Sequence, residues 1–380
     1  MARMDGNDKA AMGSGRATIL CFTSNGIGMG HLARALAVAR RLGPGFRPVV
    51  VTLSQAVATC STFGIPAEHL PHHRYLGCDV QRWNASLTHE LGLLLESYAA
   101  RLLLFDGTIP YAGLIDLLRA RPGLPSVWCR VGMWHERPET ALLEQEEFFT
   151  LVLEPGELAA EFDDGPTRRW RGRTVTVPPI RLLDDEELLT REAARAEIGL
   201  DPNRPAVLLA LGSRNGDPTD AIHGRCMRLL ASHPDVQVVV AEWLMSDRLL
   251  AIEPSGRRWR SFPHARCLAA FDGAVAASGY GLFHELVASG VPTLFVPNEH
   301  PEADNQLARA RWAEREGLGL CLREAELGIL PERLTRLLQP SRQEAMRASL
   351  ALADRRNGAA AAAAVVATLA RGSAPRPAGA

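Results

Sequence analysis

His31 closes a glycine run, Gly26-Ile27-Gly28-Met29-Gly30-His31, set between a short apolar stretch and a long Ala/Leu stretch. Glycines let a backbone turn tightly and approach a ligand. The helix that follows offers unpaired N–H groups and the positive end of its dipole. That setting favours a neutral imidazole, which can serve as a base toward a hydroxyl. The run has no glycine at the third place of G-x-G-x-x-G, and no acidic residue ends the next strand, PVVVTL, so it is not a dinucleotide fingerprint. Asp106 follows four apolar residues in RLLLFDGTIPY. It stands where a strand leaves its sheet and can accept from the second ring nitrogen of the histidine. The plainer alternatives are a strand–helix turn for the glycines and a helix cap for Asp106.

A second set lies far along the chain. In Ser278-Gly279-Tyr280-Gly281-Leu282-Phe283-His284-Glu285 an apolar strand ends in a glycine turn and a helix begins. The same physics makes this a diphosphate cradle, and the Glu285 carboxylate can accept from two vicinal ribose hydroxyls. Its alternative is an acid that complements the helix dipole. The loop after the strand LFVP carries His300, Glu302, Asn305 and Gln306, a density of amides and carboxylates that suits a sugar. In LGSRNGD, Gly212 and Ser213 form another strand-end turn, and Arg214 can meet phosphate as a charged fork. Acceptor contacts are expected from residues 64–88, with Trp83, and 128–138, with Arg130 and Trp134. Core packing is the alternative for these aromatics.

Apolar periodicity supplies the elements that carry these residues. Strands are predicted at Ala17–Phe22, Pro48–Leu53, Leu102–Phe105, Ser126–Arg130 and Leu151–Leu153. Helices are predicted at His31–Leu42, Ser54–Thr62, His89–Ala100 and Leu114–Arg119, with a looped region at Gly64–Thr88. The pattern restarts at Pro205, and Arg342–Leu369 reads as one Ala-rich helix. The organisation expected is a loose tail over 1–15, a Rossmann-like acceptor domain over 16–177 and a linker over 178–200. A nucleotide-sugar domain over 201–341, a helix over 342–370 that returns to the first domain, and a tail over 371–380 follow. The fold class is therefore α/β, with two doubly wound parallel-sheet domains facing across a cleft.

The chain has 380 residues, 47% of them apolar, and a net charge of −1, which suits two packed cores and leaves no basic field for nucleic acid. Lys9 is the only lysine, so arginine carries nearly all the positive charge. Seven cysteines are scattered without a C-x-x-C pair, which predicts buried thiols in a reducing cytoplasm rather than disulfides or zinc. No signal peptide, transmembrane stretch or exposed apolar helix is evident. The last of these favours a soluble acceptor.

SGYGLFHELVASGVPTLFVP…NQLARA resembles the nucleotide-binding half of GT-B glycosyltransferases, closest to the family 28 group that contains the lipid II N-acetylglucosaminyltransferase. GIGMGHLARALAVARRL resembles that group's first glycine loop. The resemblance implies that Glu285 holds the ribose and that Ser278, Gly279, Tyr280 and Gly281 follow the diphosphate, with Gly212 and Ser213 forming a second diphosphate loop. Asn305 and Gln306 would hold the donor sugar, although Asn305 departs from the usual acid or glutamine. The backbone at Phe262 and Pro263 would read the base. His31 would be the base, paired with Asp106, and Gly30 would lie along the donor. The family acts without metal or cofactor, and the sequence agrees in lacking a D-x-D site at a strand end; Asp184-Asp185 precedes a helix.

The expected activity is an inverting, metal-independent transfer from a UDP- or dTDP-sugar to a hydroxyl of a small-molecule or envelope acceptor. Two rivals stand beside it: a nucleotide-sugar hydrolase with water in place of the acceptor, and a non-catalytic sugar-nucleotide-binding protein.

Overall fold

A computed structural model describes residues 15–24, 29–136, 138–169, 174–212, 217–242, 244–245, 252, 254, 256–300 and 304–372. Its first half runs β1 (Ala17–Thr23), α1 (Gly30–Ala39), β2 (Phe46–Thr52), β3 (Ala67–His69), α2 (His73–Leu76), α3 (Val80–Ser97), β4 (Ala100–Asp106), α4 (Ala112–Ala120), β5 (Ser126–Cys129), β6 (Leu151–Pro155) and β7 (Thr174–Val177). After a connector and α5 (Arg191–Ile198), the second half runs β8 (Ala206–Ala210), α6 (Asp217–Ala231), β9 (Gln237–Ala241), β10 (Gly256–Trp259), β11 (Gly273–Ala276), α7 (Tyr280–Ala288), β12 (Thr293–Phe295), α8 (Gln306–Arg315), β13 (Gly319–Cys321) and α9 (Leu330–Leu338). Two helices, α10 (Pro340–Leu352) and α11 (Ala359–Ala370), complete the described chain.

The strands form two wholly parallel sheets, ordered β3-β2-β1-β4-β5-β6-β7 and β10-β9-β8-β11-β12-β13. In β1, Ile19 and Cys21 enter one buried cluster and Leu20 and Phe22 the other, the two-residue alternation of a sheet covered on both faces.

The region read as a loop at 64–88 holds β3, α2 and the start of α3. Asp79 explains the early start: its Oδ1 accepts from the N–H groups of Gln81 (2.9 Å) and Arg82 (3.0 Å). Trp83, Leu87, Leu91 and Leu95 then form a buried stripe at four-residue spacing, masked in the sequence by polar neighbours. Residues Gln55–Phe63 wind as 3-10 rather than α-helix. The four-residue β7 was too short to show as alternation.

The Ala-rich tail is two helices instead of one. Between them the Asn357 amide donates to Arg181 O (3.1 Å), Leu183 O (3.2 Å) and Asp184 Oδ1 (2.7 Å). Gly358 packs so tightly that an added Cβ would lie 1.9 Å from Pro178 O. Helix α11 consequently returns to the first sheet and packs on α1 and β4.

The two halves meet through polar as well as apolar groups. Glu157, just after β6, accepts from Arg309 Nε (2.6 Å) and lies 3.0 Å from His284 Nε2. Burial alone would raise the Glu157 carboxyl, but Arg309 and His284 outweigh it and hold it at about 2. Its ion-pair stabilisation is therefore complete above the ordinary value of 4.5 and is lost as pH falls through about 2. Glu157→Gln, which leaves the buried Arg309 half-paired, is expected to cost about 3–5 kcal/mol in urea unfolding at pH 7. The difference from the native protein should shrink toward pH 2.

Candidate active site

In a doubly wound sheet, ligands bind beyond the strand C-termini where the strand order reverses. The first sheet reverses between β1 and β4, and Thr23 pairs in register with Asp106 there. The second reverses between β8 and β11, where Ala210 pairs with Ala276. Each reversal feeds a helix, α1 in one case and α7 in the other. Neither helix has a side-chain cap at its N-terminus, in contrast to α3, α5 and α8. Their first N–H groups thus remain available as donors.

His31 and Asp106 come together as their positions suggested. His31 Nδ1 lies 2.7 Å from Asp106 Oδ1, and Thr108 Oγ1 lies 3.5 Å from Nε2. Asp106, which only accepts, draws the proton to Nδ1 and leaves Nε2 its lone pair, whereas Arg34 Nη2, which only donates, lies 2.8 Å from the same Nδ1. His31 retains 16% side-chain exposure, whereas Asp106 retains 1%. Burial pushes the Asp106 carboxyl up, but Arg34 and then His31 more than reverse this, leaving it below the usual carboxylate range.

Sequence reasoning missed Arg34. Its Nε donates to Asp106 Oδ2 (3.1 Å) and its Nη2 to Oδ1 (2.7 Å). The spacing of three residues from His31 on one helix face was the available signal.

At the second reversal, Gly279 caps α7 and Gly281 follows in its first turn; a Cβ added at Gly281 would meet nothing within 4 Å. Gly212 has φ +83°, and its Cβ position is likewise open. Glu285 is half-buried, and among the described residues no group donates to its carboxylate. Desolvation pushes that carboxyl up to about 7, with Arg181 opposing part of the rise. Arg181 belongs to the connector and was also missed.

Several expected contacts are committed elsewhere. The Ser278 hydroxyl is buried and donates to Gln306 O (2.9 Å). The Tyr280 hydroxyl donates to Gly156 O (3.1 Å) and accepts from the Ile180 N–H (3.0 Å), so this side chain ties the halves together instead of lining a diphosphate. Asn305 Oδ1 caps α8 through the Ala308 N–H (3.0 Å), and Gln306 Oε1 accepts from the Asn298 N–H (3.1 Å). Both amides keep an NH2 donor. His300 is exposed beside Asn298, which accepts from its backbone N–H (3.0 Å). The Phe262 ring meets Phe63 of the first half edge-on at 6.4 Å, and Pro263 starts a short 3-10 turn. Gly30 is exposed at the start of α1. Ser213, Arg214 and Glu302 lie outside the described residues, as do Gly26 and Gly28.

The three acceptor candidates are corrected to packing roles. Trp83 is buried with Nε1 donating to Pro71 O (2.9 Å), amid the rings of His72, His73 and Tyr111. Arg130 is fully buried, 3.5 Å from Glu146 and 3.6 Å from Glu154. Trp134 is buried and bridges to Asp304 of the second half. Beside it Met133 holds a left-handed φ of 61° while its carbonyl accepts from the Asn305 N–H (2.7 Å), a strained junction between the halves. Tyr75 (58%), Leu76 (54%) and Val80 (48%) are exposed on α2 and at the start of α3.

Two doubly wound parallel sheets, each with a helix starting at its reversal, form the GT-B architecture. Residues 263–365 match the C-terminal domain of glycosyltransferase family 28. The chain resembles the lipid II N-acetylglucosaminyltransferase group of that family. It is 31% identical over 142 residues to the UDP-N-acetylglucosamine–N-acetylmuramyl-(pentapeptide) pyrophosphoryl-undecaprenol N-acetylglucosamine transferase of Cutibacterium acnes, covering 36% of this chain and 38% of that protein. The chain thus spans under two fifths of the first curated relatives it matches. Among solved structures, a UDP-GlcNAc 2-epimerase from Neisseria meningitidis shares the fold at a TM-score of 0.66 and 12% identity, over 93% of this chain and 99% of that one. The calicheamicin glycosyltransferase CalG4 shares it at 0.60 and 19%, over 94% and 99%. Among the described residues no helix is long and apolar enough to cross a membrane, and no group of acidic, His or Cys side chains is placed to hold a metal.

Proposed function

We propose that this protein transfers a sugar from a UDP-sugar to an acceptor hydroxyl with inversion. The donor's ribose hydroxyls pair with Glu285, and its diphosphate takes the free N–H groups at the start of α7. The acceptor approaches on the α1 side. His31 Nε2 takes the hydroxyl proton as the oxygen attacks the anomeric carbon from the face opposite the diphosphate. The bond from that carbon to the phosphate oxygen breaks, and UDP leaves with the electron pair. Asp106 supports the imidazolium, and the α7 dipole offsets the leaving group's charge without a metal ion. The observation that supports this reading is the 2.7 Å His31–Asp106 contact, in which the carboxylate favours the proton on Nδ1 and the lone pair on Nε2.

The exposed Tyr75, Leu76 and Val80, flanked by Arg74 and Arg82, favour an acceptor with an apolar, lipid-like part. The test incubates UDP-sugars with a polyprenyl-diphosphate-linked sugar or with small glycosides, and follows UDP release and product mass. Acceptor-dependent UDP release with a product heavier by one sugar is expected. Release at the same rate without any acceptor would replace transfer by hydrolysis.

A further inference from the structure

Arg34 is buried and draws together groups from both halves. Besides its two bonds to Asp106, its Nη2 lies 2.8 Å from His31 Nδ1. Its guanidinium carbon lies 5.2 Å from the centroid of the Tyr280 ring, which belongs to the other half. Arg309 approaches that ring as well, at 5.6 Å. Two guanidinium groups, one from α1 and one from α8, therefore lie against the Tyr280 ring. Its hydroxyl is held by Gly156 and Ile180. It is also the first residue of α7, the helix that faces the donor diphosphate in the reading above.

We propose that Arg34 is a positioning residue whose grip on Asp106 and His31 depends on Tyr280 packing against it from the other half. The inference rests on the transferase reading. Two of the Arg34 nitrogens are spent on Asp106, and the carboxylate cannot also restrain the guanidinium from the far side. A cation on an aromatic face in a dry site is the restraint available. With the ring in place, Oδ1 is held where His31 Nδ1–H can donate to it. When the halves separate, Arg34 loses its face and Asp106 loses its alignment, so the base is ordered only when the donor helix is docked. The other groups against this cluster are the Cys129 and Cys21 thiols, both raised by burial and by Asp106 and so neutral, and Thr108.

The test compares R34Q, R34K, Y280L, Y280F and the double variant R34Q/Y280L. It reads kcat, donor KM, UDP affinity and the ¹⁵N-imidazole signals of His31, assigned by their loss in H31Q. R34Q should lower kcat about 100-fold with donor KM and UDP affinity within about threefold, and R34K should recover about tenfold of that. Y280L should lower kcat about tenfold alone but add little in the R34Q background, because the two residues act as one unit. Y280F, which keeps the ring face but loses the hydroxyl's bonds to Gly156 and Ile180, should leave the His31 signals in place. The His31 signals should move in both R34Q and Y280L. Additive losses in the double variant, or His31 signals unchanged by Y280L, would overturn the proposal. Should R34Q fail to fold, Y280L against Y280F still decides it. A native protein inactive in transfer would instead remove the transferase reading, while the imidazole signals would still report whether the coupling exists.

Discussion

His31→Ala lowers sugar transfer by about 10²–10⁴-fold while UDP binding stays within about twofold, the signature of a lost general base. Its ring meets Asp106, Arg34 and Thr108, all from the first half, and makes no hydrogen bond to α7 or Glu285 among the described residues. Donor binding in the second half should therefore be indifferent to it. Asp106→Asn gives a sharper version of the same test. An amide offers one acceptor oxygen where the carboxylate offers two, so Arg34 and His31 Nδ1–H compete for it, and the charge that supports the imidazolium is lost. The rate should fall comparably, although asparagine is nearly isosteric. Rates measured with saturating donor, alongside calorimetric UDP titration, check both halves of the expectation.

Glu285→Ala gives the opposite pattern, with UDP affinity reduced about 100-fold, equal to about 3 kcal/mol for two hydroxyls bonded to a charged acceptor. The pH dependence is equally diagnostic. Burial sets the carboxyl at about 7 in the free protein, and the ionised form is the one that accepts from both hydroxyls. UDP affinity should plateau above pH 7 and fall about tenfold per pH unit below it, until the protonated form's own affinity takes over. Glu285→Gln should flatten that profile.

Stability runs the other way. The folded value lies above the ordinary 4.5, so the contribution is complete below about pH 4.5 and is lost as pH rises through about 7. Glu285→Gln should raise the unfolding temperature at pH 8 and leave it unchanged near pH 4. A residue that weakens the empty fold and strengthens ligand binding is what a binding site requires.

The parts of this site legible in the sequence are those written in short range. A strand, a glycine turn and a helix occupy adjacent residues, so both glycine turns and the strand-end position of Asp106 could be read directly. Partners joined only by the fold could not. Arg309 reads as one cation on a polar helix, yet it meets Glu157 from 152 residues away. Trp83, Arg130 and Trp134 are types that serve ligands and cores equally well, and only burial separates the two. Tyr280 was legible as a member of a glycine turn but not as a contact of Arg34 and Arg309, because those partners, like Gly156 and Ile180, are brought to it only by the fold. Helix α3 was shortened in the reading because Asp79, its cap, stands in a run of polar residues that carries little apolar periodicity until Leu87.

The account joins a base in one half to a nucleotide grip in the other, and a crystal structure with UDP bound tests that link most directly. It predicts the ribose hydroxyls on Glu285, the β-phosphate against the backbone of Gly279, Tyr280 and Gly281, and His31 Nε2 facing that phosphate across the gap. UDP seated away from α7, or with His31 turned from the phosphate while the halves are closed, would contradict it.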